Sequence, residues 1–182
     1  MALELLREAG DQGLTMRQVA VRSGMSLSNL QHYFRNKDTL LVGLIDYYLE
    51  DCLQGMNSQL REIDADGPAR FIAMVAFTLE SPEAEPICRT FKEIWAIAER
   101  NPTIKNHLAV YYRTWVDLLG QELSAIAPDC PQQRIDQAVS MLVPLIEGYA
   151  VTRTALPLDA ASMTTLIADQ TLAMIRAGRN ET

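Results

Sequence analysis

The stretch Ser26–Lys37, SLSNLQHYFRNK, gathers side chains that can address a nucleic acid. Asn29 and Gln31 carry amides able to pair bidentately with adenine. Ser28 can contact several base edges, and Leu27 can pack on a thymine methyl. His32 falls on the same side, while Tyr33 and Lys37 can hold phosphate through a hydroxyl and an ammonium. Arg17, a little upstream, can do the same. Leu30 and Phe34 stand four apart, so on a helix they share the opposite, inward face.

Two elements must position this set. Thr15 is an N-cap for a short helix reaching Ser23, with Val19 and Ala20 inward. Gly24 can supply the positive φ of a tight turn. Ser26 then caps a second short helix ending at Phe34. Two short helices about a glycine turn form a helix-turn-helix pattern. The same pattern also fits a structural corner of a helical enzyme or of a protein-binding scaffold. Catalysis would need convergent nucleophiles, bases or metal ligands. The chain holds only two histidines, His32 and His107. No triad, metal cluster or cofactor motif emerges.

Charge sharpens the picture. The 182-residue chain has a formal net charge of −7. Within Gln12–Lys37, however, Arg17, Arg22, Arg35 and Lys37 stand without a single acid. The other 156 residues carry 12 basic and 23 acidic side chains. A basic window in an acidic protein marks a candidate anion-facing surface. The longest wholly apolar run, Phe71–Phe77, is too short for a membrane span. No signal peptide is visible. Cys52, Cys88 and Cys130 are odd in number and widely spaced, which suits reduced thiols in a cytoplasm.

The remaining periodicity is helical throughout, so the fold is read as all-α. A first helix covers about Ala2–Ala9 and stops near Gly10 and Gly13. Asn36 caps a helix from Lys37 to about Met56. Further helices run from Pro68 to about Glu80, over Ile87–Arg100, from Pro102 to about Ala127, over Gln132–Thr154 with Pro144 inside, and over Asp159–Ala177. The natural division is a helix-turn-helix domain over residues 1–45, a connecting helix to about 56, and an antiparallel helical bundle over 57–182.

Gly13-Leu14-Thr15-Met16-Arg17-Gln18-Val19-Ala20, Ser23-Gly24-Met25-Ser26 and Leu30-Gln31-His32-Tyr33-Phe34-Arg35-Asn36-Lys37-Asp38 resemble the DNA-binding domain of TetR-family transcriptional regulators. The resemblance implies phosphate contacts at Thr15, Tyr33 and Lys37. It implies base-facing positions at Leu27, Ser28, Gln31 and His32, beside Ser26 and Asn29. Members often have Tyr where Gln31 stands and Gly-Thr where Ser28-Asn29 stands, so operator preference does not carry over. The first helix is shorter than usual, and the basic arm that often precedes it is missing from this sequence. Phe91–Trp95, Tyr111–Trp115, Leu142–Arg153 and the last helix resemble the BetI-like, choline-responsive subclass in layout.

The reading is a ligand-responsive regulator of the repressing kind, released from a palindromic double-stranded operator by a small-molecule effector. The effector region is expected around Phe77, Phe91, Trp95, His107, Tyr111, Trp115 and Glu147, since pockets are mostly apolar with a few polar groups. An aromatic box with a carboxylate suits a cation. Leu142, Leu145 and Tyr149 on one helix, with Met163, Ile167 and Met174 on the last, are the expected homodimer face. No membrane, metal or cofactor is expected.

Overall fold

Local capping chemistry starts most of the helices. In the computed structural model, which describes residues 1–176, nine α-helices make up the ordered elements. They are α1 (Ala2–Gly13), α2 (Met16–Arg22), α3 (Leu27–Tyr33), α4 (Lys37–Glu62), α5 (Gly67–Glu80), α6 (Ala84–Ala98), α7 (Pro102–Ile126), α8 (Gln132–Thr152) and α9 (Ala160–Arg176). The expected last helix reached Ala177, which lies outside the described residues.

Thr15 accepts from the Gln18 amide at 3.2 Å and starts α2. Ser26 accepts from the Asn29 amide at 3.1 Å and starts α3. Asn36 and Thr39 cap α4 reciprocally. The Thr39 amide donates to Asn36 Oδ1 at 2.9 Å, and the Asn36 amide to Thr39 Oγ1 at 3.1 Å. Asn101 and Asp159 accept backbone amides at the starts of α7 and α9. The Ser162 bonds hold the Asp159 carboxyl below the usual carboxylate range.

One helix differs from the periodicity, and α1 follows it: helical geometry breaks at Gly10, with φ 63° and ψ −174°, and a further turn runs on to Gly13. Only glycine takes that φ without strain. A Cβ at Gly10 would also meet a Glu93 carboxylate oxygen at 3.2 Å. Helix α4 extends to Glu62, because nothing between Met56 and Glu62 breaks a helix. Helix α8 accommodates Pro144 without a break.

The chain groups into two compact units. One holds Met1–Gly55 with Arg89–Tyr111; the other holds Met56–Cys88 with residues 112–176. The grouping of Arg89–Tyr111 with the N-terminal helices is not visible in sequence order. In the first unit Leu6, Leu14, Ile45, Ile94 and Ile104 are fully buried. There Arg7 Nε donates to Thr90 Oγ1 at 2.6 Å and its guanidinium lies 5.6 Å from the centre of the Tyr48 ring. In the second unit α9 packs on α5 and α8. Its core includes Phe71, Leu123, Ile135, Leu142, Ile167 and Ile175. Each such side chain contributes roughly 1.5–3 kcal/mol by leaving water. Arg70 clamps this unit through Glu122 at 3.0 Å and the Leu60 carbonyl at 2.6 Å. No helix of the described residues is long and apolar enough to cross a membrane.

Candidate nucleic-acid interface and effector site

The alternation of apolar and polar residues along α3 decides which way it faces. Leu30 is 4% exposed and roots the helix. Phe34 follows at its end and packs against α4, where its ring would stand 3.1 Å from a Cβ at Gly43. A side chain at Gly43 would press on that ring. Ser28, Asn29, Gln31, His32 and Tyr33 are exposed, and Leu27 is half-buried. Tyr33 is 68% exposed, with the His32 ring edge-on at 5.5 Å. The helix therefore presents two amides, two hydroxyls and an imidazole on a surface held by Leu30. Gly24 makes the α2–α3 turn with φ 64°.

The phosphate candidates divide. Arg17 and Arg35 are exposed. Thr15 Oγ1 caps α2 and donates to Gln18 Oε1 at 2.9 Å. Lys37 Nζ lies 2.8 Å from Asp11 Oδ1 and donates to the Asp11 carbonyl at 2.6 Å. Arg22 is held by Glu8 at 2.6 Å. Half of the basic window is thus paired with α1 carboxylates. Those carboxylates lie just ahead of the window, but their pairing is tertiary and not readable from spacing.

The seven expected effector residues separate between the units. In the first, Phe91 lies 6.0 Å from Tyr48 and 5.1 Å from Tyr111, ring centre to ring centre. Burial pushes the Tyr48 hydroxyl up to about 12. His107 pairs with Asp46, and with Tyr111 and Glu50 they line a groove of about 370 Å³. Trp95 is half-buried on α6. In the second unit Phe77 and Trp115 line an apolar cleft of about 20 Å³ with Met56, Leu60, Ile63 and Met74. That is about one water in size.

Glu147, also in the second unit, accepts from the Tyr112 hydroxyl at 2.9 Å. Burial pushes its carboxyl above the usual range, and the Tyr112 bond offsets this in part. Tyr112 stacks toward Trp115 at 6.2 Å, so Tyr112 joins Glu147 to Trp115. Sequence reasoning left Tyr112 out of the site. Its position three before Trp115 is the one available signal, since that spacing shares a helix face.

The expected dimer face also divides. Leu142, Tyr149 and Ile167 are 0%, 5% and 1% exposed and belong to the chain's own core. Their side chains have no surface to give a second copy. Met163 and Met174 are half-buried against the same core. Leu145, at 40%, points outward, as does Leu166 at 45%. The cysteines are half-buried, and burial pushes the Cys52 thiol up to about 11, which keeps it protonated and unreactive.

Comparison with known proteins converges on one family. Residues 1–44 match the profile described as bacterial regulatory proteins, tetR family. Residues 67–176 match that of the BetI-type transcriptional repressor, C-terminal. An HTH-type transcriptional regulator in the dhlA 5' region of Xanthobacter autotrophicus is 38% identical over 97% of this chain and 87% of its own. The HTH-type transcriptional regulator BetI of Burkholderia mallei is 31% identical over 80% of this chain and 74% of its own. Among solved structures, a transcriptional regulator from Saccharomonospora viridis in complex with choline superposes with TM-score 0.76. Its identity is 17%, and the match covers 96% of this chain and 91% of that one. At that identity the likeness shows the fold. The family profile and the two curated relatives set the helical-enzyme alternative aside. The chain belongs to the TetR family of helix-turn-helix, DNA-binding transcriptional regulators, with a C-terminal part of the BetI repressor type.

Proposed function

We propose that this regulator represses transcription as a homodimer on a palindromic operator and is released by a small organic cation. The observation that carries the DNA half is the exposed Ser28–Tyr33 face of α3 over the buried Leu30. A second copy would place the other α3 in a half-site one helical turn away or a multiple of it. Leu145 and Leu166 are the outward apolar residues of α8 and α9 that suit such an interface. No membrane enters this scheme, and the site of action is the cytoplasm, where the operator is.

Glu147 carries the effector half. A half-buried carboxylate with a raised pKa is short of positive charge, and the Tyr112 hydroxyl supplies only part of it. A quaternary ammonium that opened a space beside Glu147, Tyr112 and Trp115, where the cleft now holds about one water, would meet a carboxylate and two aromatic rings. The choline-bound regulator of the same fold supports the chemical class. Helices α4, α6 and α7 each contribute residues to both units, which gives a ligand covalently continuous elements to act on. The effector works only through its different affinities for the operator-binding and released states. Moving that balance from 1:99 to 99:1 takes about 5.5 kcal/mol.

Fluorescence anisotropy on the intergenic DNA upstream of the protein's own gene tests this reading. Sequence-specific binding that weakens on adding choline is expected. A folded dimer that binds no such DNA at moderate salt contradicts the regulator. Gln31→Ala or Tyr33→Phe with unchanged affinity would point to a scaffold that keeps a helix-turn-helix without using it.

A further inference from the structure

The groove of about 370 Å³ belongs wholly to the first unit, whereas Glu147 belongs to the second. On α4, Asp46, Leu49, Glu50 and Leu53 repeat at steps of three and four residues, so they form one stripe. On α7, His107 faces this stripe and pairs with Asp46, and Val110 lies one turn further on. Leu49 is 4% exposed and Val110 is 54% exposed. The groove is therefore apolar along Leu49, Leu53 and Val110, with carboxylates at Asp46 and Glu50. Carboxylates four residues apart on a helix repel each other. His107 answers Asp46 alone. Glu50 is exposed and makes no ion pair among the described residues, and no lysine or arginine lines the groove. Its volume falls in the range of about 300–1,000 Å³ common for small-molecule sites.

We propose that this α4–α7 groove is a second small-molecule site, for a primary ammonium carried on an apolar body. The ammonium donates to the Glu50 carboxylate and to Asp46, whose side chain is 48% exposed and gives His107 only Oδ1. Hydrogen bonds between charged partners are the strong ones. The apolar body lies along Leu49, Leu53 and Val110, where it removes apolar surface from water. A quaternary ammonium has no N–H to give these carboxylates, and an anion would meet two charges of its own sign. The site stands on the helix that carries the end of α3, because Asp46 is three residues past Gly43, where Phe34 packs. It is independent of the effector reading at Glu147 and differs from it in unit and in ligand chemistry.

The chain has two histidines, so their ring resonances give a local readout. Phenethylamine is titrated into the full chain, and the imidazole signals are followed by NMR. A saturable shift of His107 is expected, with His32, which does not line the groove, unmoved. Hydrocinnamate, with the same body and a carboxylate in place of the amine, should leave both rings unmoved. Glu50→Gln should weaken phenethylamine binding about fivefold, the upper end for an exposed ion pair. Val110→Lys carries its own ammonium into the groove and should abolish the saturable shift. Both positions are exposed, so both variants should fold, which a melting curve checks. The proposal is overturned by a His107 shift that stays linear in amine concentration, by an equal response to hydrocinnamate, or by parental affinity in Glu50→Gln or Val110→Lys. Because His107 reports the groove alone, a failure here leaves the Glu147 reading standing, and failure of cation binding at Glu147 leaves the groove standing.

Discussion

Replacing Glu147 by Gln separates the cost of a buried carboxylate from its use. The substitution keeps the shape and an acceptor for the Tyr112 hydroxyl but removes the charge. Two unit charges about 5 Å apart at an effective dielectric of about 20 attract by about 3 kcal/mol. Glu147 is only half-buried, and solvent screening trims this to about 1.5–2 kcal/mol. The loss of affinity for tetramethylammonium should then be roughly 12- to 30-fold. Stability should move the other way. Burial raises the carboxyl pKa in the folded chain, so folding favours the protonated form. That contribution is whole below the ordinary glutamate range and is lost as pH rises through the raised value. At neutral pH the Gln variant, always uncharged, should melt higher than the parent and show a flatter pH dependence. Cation binding to the parent should strengthen as pH rises through the same range, because the ligand needs the carboxylate. Isothermal titration at several pH values, with melting curves alongside, checks all three. Equal affinity of parent and Gln variant, or binding that weakens as pH rises, would refute the reasoning.

Other perturbations probe the frame that carries the sites. Gly43→Ala sets a Cβ 3.1 Å from the half-buried Phe34 ring, so operator binding should weaken as Phe34 shifts, while the helix-propensity gain of Ala offsets the crowding in denaturant unfolding. Leu30→Ala empties the root of α3 and should cost about 2–5 kcal/mol by the same assay. Ser26→Ala removes the α3 cap and should cost about 1 kcal/mol, visible as a lower Tm. Leu145→Asp together with Leu166→Asp should shift sedimentation from dimer to monomer without lowering the helical content of the chain. An unchanged dimer would move the interface elsewhere.

How much of this was legible in the sequence follows from the range of each interaction. Thr15, Ser26, Asn36, Asn101 and Asp159 act on amides two or three residues away, so the helix starts are written locally. The outward face of α3 follows from the Leu30–Phe34 spacing for the same reason. Stops are less legible: the periodicity places the end of α4 near Met56, yet the helix runs on to Glu62. The pairings that decide function are tertiary. Tyr112 and Glu147 are 35 residues apart, Lys37 and Asp11 are 26 apart, and no periodicity joins them. Amphipathic stripes on α8 and α9 show that apolar faces exist, not what covers them. Because α5 lies against α9, Leu142, Tyr149 and Ile167 are spent on the chain's own core, which leaves Leu145 and Leu166 outside.

The central claim is that the exposed face of α3 reads base edges. Selection of preferred duplexes from a randomised library, run with the parent and with Gln31→Ala, tests it most directly. The account predicts that the variant loses preference at one position of each half-site, at a cost of about 1–3 kcal/mol for the parent's best sequence, with an unchanged melting temperature. An identical preferred sequence and affinity for the two proteins would contradict it.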